Sequence, residues 1–328
     1  MPTTLIIGAG LAGLTAAREL TQHGHDVLIY DKGRGVGGRL ATRRIANGRA
    51  DHGAQYFSAR SADFQSLTQA MQLAGIVHDW HIEQSDPASF QHPRYVGAEG
   101  MSSIAKYLAN DLNVQTGRRV VTVKSVEQGW QVAFDDGETV AADSLIVTMP
   151  APQALALWQE SGLTLAHAET ATLEAIHYEP CLAVILQLNR PGNVPAPGGL
   201  KLPVDSPVAW IADNQQKGIS PALITVTLHA SHTYSQQHID DTDLTALIPE
   251  LIGPTAGYIS PETIVDQQIH RWRYSNATKR HEQPFLMAST PAPLLFGGDG
   301  FGQGNVEGAY LSGLAMARQL MGKAVTSN

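Results

Sequence analysis

Three glycines near the start of the chain, Gly8, Gly10 and Gly13, have the spacing of a loop that binds a diphosphate. The first glycine permits a tight turn, the second lets backbone amides approach the phosphates, and the third lets the next helix pack on a sheet. The helix N-terminus then offers unpaired N–H groups to the anion. Asp31 follows Gly13 by 18 residues, where an acid can accept hydrogen bonds from ribose hydroxyls. The pattern predicts a dinucleotide-binding site.

Two further glycine-rich segments bear on whether the dinucleotide is NAD or FAD. Gly37-Gly38-Arg39 combines close backbone approach with a bidentate donor, which suits a diphosphate, although an ordinary surface loop is the alternative. The run Phe-Gly-Gly-Asp-Gly at 296–300 places Asp299 just before the final predicted helix. An acid there can hold sugar-alcohol hydroxyls, and the helix N-terminus can point at a ring carbonyl. The ribityl chain and pyrimidine ring of a flavin need this geometry, so FAD is predicted.

The elements around these motifs form a strand–helix–strand unit. Thr4–Ile7 and Asp26–Tyr30 are predicted strands, and Leu11–His23 between them has the apolar spacing of a helix that ends before Gly24. Two strands joined by a helix run parallel. Strand Leu294–Phe296 and a helix from Asn305 to Leu320 repeat the pattern at the end of the chain.

The rest of the chain is rich in predicted strands. A turn at Asp135-Asp136-Gly137 predicts a hairpin. Helices are predicted at Ser61–Ala74, Gly100–Ala109 and Thr242–Ile252, and from about Pro150 onward. Strands are predicted at Arg119–Val126, Trp130–Phe134, Glu138–Ala141, Ser144–Thr148, Tyr178–Leu188, Val208–Ala212, Leu223–Ala230 and Ile264–Tyr274.

Composition excludes several classes of protein. The 328 residues are 43% hydrophobic and 16% charged, which excludes a disordered chain. The net charge of −8 argues against general nucleic-acid binding, and the positive charge is local, with five arginines within residues 34–49. No metal site is predicted, because the 13 histidines lack partners at zinc spacing. Without a basic leader or a membrane-length apolar run, the chain is expected to be soluble, unprocessed and cytoplasmic.

The quoted motifs, together with Asp51-His-Gly-Ala-Gln-Tyr-Phe57, resemble those of the flavin-containing amine oxidase superfamily. Within it, the 51–57 segment and His270-Arg-Trp-Arg-Tyr274 are most similar to renalases, in particular bacterial ones. The resemblance implies an α/β fold like that of p-hydroxybenzoate hydroxylase. A discontinuous Rossmann-type FAD-binding domain would comprise 1–57, 97–172 and 289–328. An inserted mixed α+β substrate domain would comprise 58–96 and 173–288.

The resemblance also implies how the cofactor is held. Ala12 would give a backbone amide to the pyrophosphate, Asp31 would hold the adenosine ribose, and Val120 would pair its backbone with adenine. Arg39 would contact phosphate, and Val306 would give an amide to the flavin carbonyl. The complete predicted set is Gly8, Gly10, Ala12, Gly13, Asp31, Lys32, Gly38, Arg39, Gln55, Tyr56, Val120, Asp299 and Val306, with Gln55 and Tyr56 near the flavin ring and Asp299 on the ribityl hydroxyls.

The FAD is expected to be bound without a covalent link. The one cysteine, Cys181, lies far from the final flavin motif in an apolar run, which predicts a buried thiol. One cysteine also excludes an internal disulfide.

Renalases oxidise mis-reduced dihydronicotinamide dinucleotides, 2- or 6-dihydro-NAD(P), to NAD(P)+ with oxygen, forming hydrogen peroxide. Hydride transfer to flavin N5 needs stacking and no obligatory side-chain acid or base, so no catalytic residue is predicted. Strand alternation puts Trp272 and Tyr274 on one face, which is assigned to the substrate, with plain core as the alternative. Asn305 caps the last helix or also faces the ring. The predicted substrate residues are Phe57, Ser58, Ala59, Arg60, Tyr95, Val96, Gly97, Trp272, Tyr274 and Asn305.

Two other functions stay open. An amine or polyamine oxidase of the same fold is one, although the final helix lacks the tyrosine that helps form the amine-binding aromatic cage of monoamine oxidases. A flavin-free binding protein of this fold, as in GDP-dissociation inhibitors, is the other.

Overall fold

The computed structural model describes residues 2–82 and 92–322; part of the predicted substrate domain, 83–91, lies outside them. The strands, numbered in chain order, are β1 (Thr3–Ile7), β2 (Asp26–Asp31), β3 (Thr42–Ile45), β4 (Gly48–Asp51), β5 (Val77–Asp79), β6 (Tyr95–Gly97), β7 (Val114–Thr116), β8 (Val120–Val126), β9 (Gly129–Phe134), β10 (Thr139–Ala142), β11 (Ser144–Val147), β12 (His177–Leu188), β13 (Gly199–Lys201), β14 (Val208–Asp213), β15 (Ile224–Ala230), β16 (Ile264–Lys279), β17 (Phe285–Met287) and β18 (Leu294–Gly297). The α-helices are α1 (Leu11–Gln22), α2 (Ala62–Leu73), α3 (Ser102–Ala109), α4 (Ala151–Glu160), α5 (His167–Glu174), α6 (His232–His238), α7 (Ile248–Ile252) and α8 (Asn305–Leu320).

The chain divides into two compact units. The first comprises Met1–Gly38, Ala105–His177 and Ala277–Asn328, and the second comprises Arg39–Ile104 and Tyr178–Asn276. Residues 39–57 and 97–104 therefore group with the second unit, whereas the sequence assigns them to the cofactor domain. Because residues that contact a cofactor need not belong to the same compact body, the predicted domain boundaries stay a prediction.

A six-stranded sheet in the order β17-β18-β11-β1-β2-β7 forms the centre of the first unit. Its strands are parallel except for β17, which pairs antiparallel with β18 at one edge. The predicted parallel β1–α1–β2 unit is confirmed. Short apolar runs buried on both faces are typical of a parallel sheet, and all four residues of β11 are buried.

Helices α1 and α8 pack closely against each other in the first unit. A Cβ added at Gly13 would lie 2.0 Å from the carbonyl oxygen of Gly8, and one added at Gly313 would lie 2.2 Å from that of Ala12. Glycine at both positions therefore brings α1 against the turn before it and against α8. The predicted bounds of α8 are confirmed.

The first unit also contains an antiparallel sheet in the order β10-β9-β8. The predicted turn joins β9 to β10, with Gly137 at a φ of 87° and its N–H bonded to the carbonyl of Phe134 at 3.0 Å. Because β9 and β10 pair antiparallel on either side of this turn, the predicted hairpin is confirmed. The chain then returns through β11 to the parallel sheet.

A five-stranded sheet in the order β13-β14-β15-β12-β16 forms the centre of the second unit. Alternation gives it two different faces. On one, Leu182, Val184 and Leu186 of β12 pack with Leu228 of β15 and Ile248 of α7. On the other, Ile185 packs with residues of the antiparallel β3–β4 hairpin. The second face also carries the polar residues described below.

Two secondary-structure predictions need correction. The predicted helix Thr242–Ile252 is wrong in its first half, where Thr245–Leu247 forms a 3₁₀ turn and α7 begins only at Ile248. Pro249 causes this break, because proline lacks an N–H and suits the first turn of a new helix. The strand predicted to end at Tyr274 continues to Lys279.

Candidate functional site

The turn between β1 and α1 has the geometry of an anion-binding loop. Gly8 has a φ of 112°, and its N–H donates to the carbonyl of Tyr30 at 2.8 Å. The N–H of Leu14 donates to the carbonyl of Gly10 at 3.0 Å, so the amides of residues 11–13 precede the first intrahelical hydrogen bond. No side chain caps the helix at Gly10, and a Cβ there would meet nothing within 4 Å. The amide of Ala12 thus lies where a diphosphate can be bound.

Asp31 holds two loops beside this turn. Its carboxylate accepts the N–H of Ala9 at 2.7 Å and that of Gly33 at 2.6 Å. Its carbonyl accepts the N–H of Arg118 at 2.9 Å, which brings the start of β8, and with it Val120, to the end of β2. Each carboxylate oxygen retains a second lone pair, so ribose hydroxyls can still be bound. Lys32 is exposed beside it, with Nζ 3.2 Å from Oε1 of Gln153.

A second turn leads from β18 into α8. The N–H of Gly298 donates to Oγ of Ser312 in α8 at 2.8 Å, which fixes the loop carrying Asp299 against the helix. Gly304 is the N-cap with a φ of 72° and no side-chain cap, so the prediction that Asn305 caps α8 is wrong. Asn305 instead begins α8 with a φ of 56°, a left-handed conformation that asparagine tolerates. The amide of Val306 lies in the uncapped first turn.

Gly37 and Gly38 approach the first turn closely, while Arg39 begins the second unit. The N–H of Gly37 donates to the carbonyl of Ala9 at 2.8 Å. The guanidinium of Arg39 donates to the carbonyl of Tyr274 at 3.2 Å and lies 5.8 Å from the ring centre of Tyr178. The phosphate contact of Arg39 stays a prediction.

The segment 51–55 of the second unit is held by alternate polar residues of β15. The Thr225 hydroxyl donates to the carbonyl of Arg49, and the Thr227 hydroxyl donates to the carbonyl of Asp51 at 2.9 Å. Nε2 of His229, the next residue on that face, lies 3.4 Å from Nε2 of Gln55. Successive residues of this face therefore set the position of the segment that carries the predicted flavin contacts.

A buried lysine completes the support of this segment. Nζ of Lys217 contacts Oδ2 of Asp51 at 2.8 Å and Oε1 of Gln55 at 3.3 Å. The amide nitrogen of Gln55 donates to the carbonyl of Asp51 at 2.7 Å. The side chain of Gln55 is thus engaged within the second unit. Its predicted place near the flavin ring stays a prediction, while the ring of Tyr56 is half-buried.

Two histidines, His52 and His270, pack against Trp272, and His229 lies close to His52. The ring centres of His52 and His270 are 4.6 Å apart, and the Trp272 ring lies nearly parallel to that of His52 at 5.3 Å. The Trp272 indole N–H donates to the carbonyl of His52 at 2.7 Å. Burial, with His270, Arg43 and His229 nearby, lowers the pKa of His52 to about 3. Burial lowers the pKa of His229 to about 4, so both rings are neutral at pH 7.

Strand β16 has the predicted alternation. Trp272 and Tyr274 lie on one face, where Tyr274 packs edge-on against Tyr178 at 5.7 Å. Arg271 and Arg273 lie on the other, and Arg273 pairs with Asp240 at 2.7 Å. Trp272 and Tyr274 are half-buried.

The other predicted substrate residues differ in accessibility. The Phe57 side chain is 3% exposed and packs against Phe64 and Tyr95. Ala59, Val96 and Gly97 are likewise buried, whereas Ser58 and Tyr95 are half-buried and Arg60 is exposed. The backbones of Phe57 and Tyr95 exchange two hydrogen bonds, of 3.0 and 2.8 Å, which joins the two predicted segments.

The structure adds residues that the sequence did not indicate. Trp80 and Trp210 lie within 6.2 Å of each other and of Tyr56, forming an aromatic cluster. Arg94, which is buried, lies 4.5 Å from the ring centre of Tyr56. Lys217 escaped prediction because lysine is seldom buried. His52 lies in the 51–57 motif, but nothing in the sequence indicated that it contacts Trp272, which is 220 residues away.

Two family models match the chain. The NAD(P)-binding Rossmann-like domain matches residues 6–72. The flavin containing amine oxidoreductase model matches residues 75–321, more than half of the chain. The chain belongs to the flavin-containing amine oxidoreductase family. Its cofactor is accordingly FAD, and the flavin-free alternative is set aside.

Three proteins are similar to the chain over nearly their whole length. Renalase of Mus musculus is 24% identical over 341 residues, covering 98% of this chain and 99% of renalase. Among solved structures, a protein assigned as a protoporphyrinogen oxidase from Exiguobacterium sp. 255-15 has a TM-score of 0.74 at 12% identity, with 98% of each chain covered. Putrescine oxidase bound to putrescine has a TM-score of 0.71 at 14% identity, covering 98% of this chain and 99% of its own. The two solved structures share the fold of this chain.

The residues of the first unit fit the flavin cofactor of the family. The space beside Gly10 and the uncapped first turns of α1 and α8 provide amide donors for a diphosphate and a ring carbonyl. Cys181 is buried in β12 as predicted, and burial raises the pKa of its thiol to about 12. A thiol of this kind is a poor candidate for a flavin link.

Within the part of the chain that the structure describes, no helix is both long and apolar enough to cross a membrane.

Proposed function

We propose that the protein is an FAD-dependent oxidase that converts mis-reduced dihydronicotinamide dinucleotides to NAD(P)+. The observation that carries the proposal is the alignment with mouse renalase over 98% of the chain. The resemblance to renalases implies this substrate. The substrate loses two electrons and one hydrogen, and oxygen takes them with a proton from solvent, so the products are NAD(P)+ and hydrogen peroxide. When bound, FAD supplies the acceptor for the two electrons and passes them to oxygen.

The residues of the second unit suit a flat ring. Trp272 offers a half-buried indole that is fixed at its N–H by the carbonyl of His52. Because His52 stacks against it at 5.3 Å, the indole is held in one orientation. A fixed aromatic face orients a planar substrate without requiring a proton donor or acceptor. We assign the nicotinamide to this face of β16.

The charge of the same region disfavours an amine substrate. Arg43 is the cationic residue that acts on both His52 and His270. The carboxylate of Asp51 is already neutralised by Lys217 at 2.8 Å. An ammonium group would find repulsion here, whereas a dinucleotide brings negative charge. The structural likeness to putrescine oxidase shows a shared fold and does not indicate the substrate of this chain.

Anaerobic reduction of the flavin tests the proposal. The purified holoenzyme is mixed without oxygen with 2-dihydro-NAD, 6-dihydro-NAD, ordinary NADH, or putrescine, and the flavin absorbance is followed. We expect rapid bleaching by the 2- or 6-dihydro isomer and slow or no bleaching by putrescine. Readmitted oxygen should restore the absorbance with one hydrogen peroxide formed per flavin.

Either of two results would overturn the proposal. Bleaching by putrescine alone would make the protein an amine oxidase. A flavin that neither the 2-dihydro nor the 6-dihydro isomer reduces, even if ordinary NADH reduces it, would exclude the proposed substrate class.

A further inference from the structure

We propose that Arg43, together with His270 and His52, forms a subsite of the second unit that binds a phosphate group of the substrate. The inference rests on the proposed function, because a dinucleotide substrate carries the phosphate. It concerns the anionic part of the substrate, whereas the proposed function concerns its flat ring. All three side chains belong to the second unit.

The guanidinium of Arg43 is available for a ligand. Arg43 lies on β3, where its backbone is opposite Ala50, and its side chain is exposed. Across residues 2–82 and 92–322, its guanidinium has neither a hydrogen bond nor an ion pair. Two other arginines of the second unit do pair with acids: Arg49 with Glu99 at 3.2 Å and Arg273 with Asp240 at 2.7 Å.

The imidazole of His52 has an unused polar atom. Its side chain is 7% exposed, and its Nδ1 is buried without a hydrogen-bond partner among the described residues. Buried polar atoms are nearly always bonded, so such an atom indicates a missing partner. The ring centre of His270 is 4.6 Å away, and that ring is half-buried. A ligand, or a small rotation of the His52 ring, can give Nδ1 of His52 a hydrogen-bond partner.

The surroundings of these rings are positive. The groups that act on His52 are His270, Arg43 and His229, each neutral or cationic. Asp51, its neighbour in sequence, is committed to Lys217 at 2.8 Å. Arg43 is therefore the uncompensated charge of the cluster, and an anion would neutralise it.

A phosphate group matches this set of donors. A guanidinium presents paired N–H groups in the geometry of two phosphate oxygens, and a neutral imidazole can donate one N–H. The ring of Trp272 lies 4.5 Å from that of His270, so a flat aromatic face borders the anion subsite. A nicotinamide nucleotide contains these two features in one molecule. The phosphate could be the bridging diphosphate or the 2′-phosphate of an NADP form.

Two matched variants of the holoenzyme test the subsite. Arg43→Gln removes the charge, and Arg44→Gln makes the same change at the next position of β3, where alternation turns the side chain to the other face. Inorganic pyrophosphate, titrated by calorimetry, serves as the probe. Loss of a charged hydrogen-bond donor should weaken pyrophosphate binding about tenfold in Arg43→Gln, and Arg44→Gln should change it less than about twofold. Both variants should retain the flavin absorbance of the wild type.

Steady-state kinetics distinguish the two phosphates. If the subsite binds the bridging diphosphate, Arg43→Gln raises KM equally for dihydro-NAD and dihydro-NADP. If it binds the 2′-phosphate, KM rises for dihydro-NADP alone. In both cases kcat at saturation is unchanged, because the subsite binds the substrate away from the reacting ring.

The outcomes separate this inference from the proposed function. Equal weakening in both variants, or no weakening in Arg43→Gln, would overturn the subsite. If neither the 2-dihydro nor the 6-dihydro isomer reduced the wild-type enzyme, the proposed function would fail, yet the pyrophosphate titration would still decide whether Arg43 binds phosphate.

Discussion

Nζ of Lys217 lies 2.8 Å from Oδ2 of Asp51, and both side chains are fully buried. The other carboxylate oxygen accepts the Thr42 hydroxyl at 2.6 Å and the N–H of Met101 at 2.9 Å. The lysine lies 5.0 Å from the ring centre of Trp80. Two charges removed from water are tolerated here because each is paired and hydrogen-bonded.

Removing the buried lysine should lower the free energy of unfolding far more than removing one member of an exposed ion pair. We expect Lys217→Met to lower the free energy of unfolding by about 3–5 kcal/mol, because Asp51 is left as an uncompensated buried charge. Adding Asp51→Asn should recover part of the loss. Arg190→Gln, which breaks the exposed pair with Glu262, should cost under about 1 kcal/mol. Urea unfolding measures all of them, and equal losses for Lys217→Met and Arg190→Gln would contradict the account.

Two glycines of the first turn should respond differently to alanine. At Gly13 the new Cβ would lie 2.0 Å from the Gly8 carbonyl oxygen, so Gly13→Ala should lower both stability and FAD content. At Gly10 the φ is −76° and nothing lies within 4 Å, so Gly10→Ala should fold normally yet bind FAD poorly. Gly257→Ala, also in open space, is the control. Thermal melting and the flavin-to-protein absorbance ratio measure the two effects. Full FAD content in Gly10→Ala would exclude the proposed approach of the diphosphate.

Stability should decrease in mild acid. Burial holds the pKa of His52 at about 3 and that of His229 at about 4 in the folded protein, against 6.5 for an ordinary histidine. Between these values the unfolded chain binds more protons than the folded one. The contribution of the two neutral histidines to the free energy of unfolding is therefore fully present above pH 6.5 and is lost as the pH decreases toward 4. Each histidine should lower the free energy of unfolding by about 2 kcal/mol between pH 7.5 and pH 5.

Urea unfolding at several pH values from 7.5 to 5 measures how steeply the free energy of unfolding depends on pH. His229→Gln should flatten this dependence, and His23→Gln, at an exposed site, should leave it unchanged. A wild-type profile that is flat from pH 7.5 to 5 would show that the histidines are not held neutral.

Substitution of Trp272 should affect substrate more than cofactor. Trp272→Leu removes the aromatic face, and stacking of a flat base is worth about 1–3 kcal/mol, so KM should rise between about fivefold and a hundredfold. Trp272→Phe keeps a flat ring and loses only the hydrogen bond to the His52 carbonyl, so its KM should rise less. Steady-state oxygen consumption at varied substrate concentration measures KM for both variants, and the flavin-to-protein absorbance ratio shows whether they retain the cofactor. Similar KM values for the two would argue against stacking.

The flavin should be released when the protein unfolds. Because burial raises the pKa of the Cys181 thiol to about 12, no reactive thiolate is present to attach it. Acid precipitation should leave all of the FAD in the supernatant, and Cys181→Ala should retain the wild-type flavin content. Flavin that remains with the precipitate would indicate a covalent link through another residue.

Local patterns predicted the cofactor turn and its elements. Glycine spacing at Gly8, Gly10 and Gly13 specified a turn whose backbone geometry follows from the residue type itself. The bounds of α8 and the hairpin at Gly137 were likewise predictable, because apolar periodicity and turn residues act over a few positions.

Contacts between distant segments were not predictable in the same way. Lys217 bonds Asp51 across 166 residues, and Trp272 bonds His52 across 220. The β3–β4 hairpin was missed because Arg43 and Arg44 place charge on both faces of β3, which removes the apolar alternation of a strand. Burial of a lysine or pairing of two histidines depends on neighbours that only the folded chain supplies.

The chain passes between its two compact units at four junctions, 38/39, 104/105, 177/178 and 276/277. Neither unit can therefore be produced as one uninterrupted fragment, and exchanging one of them with a relative requires four splice points.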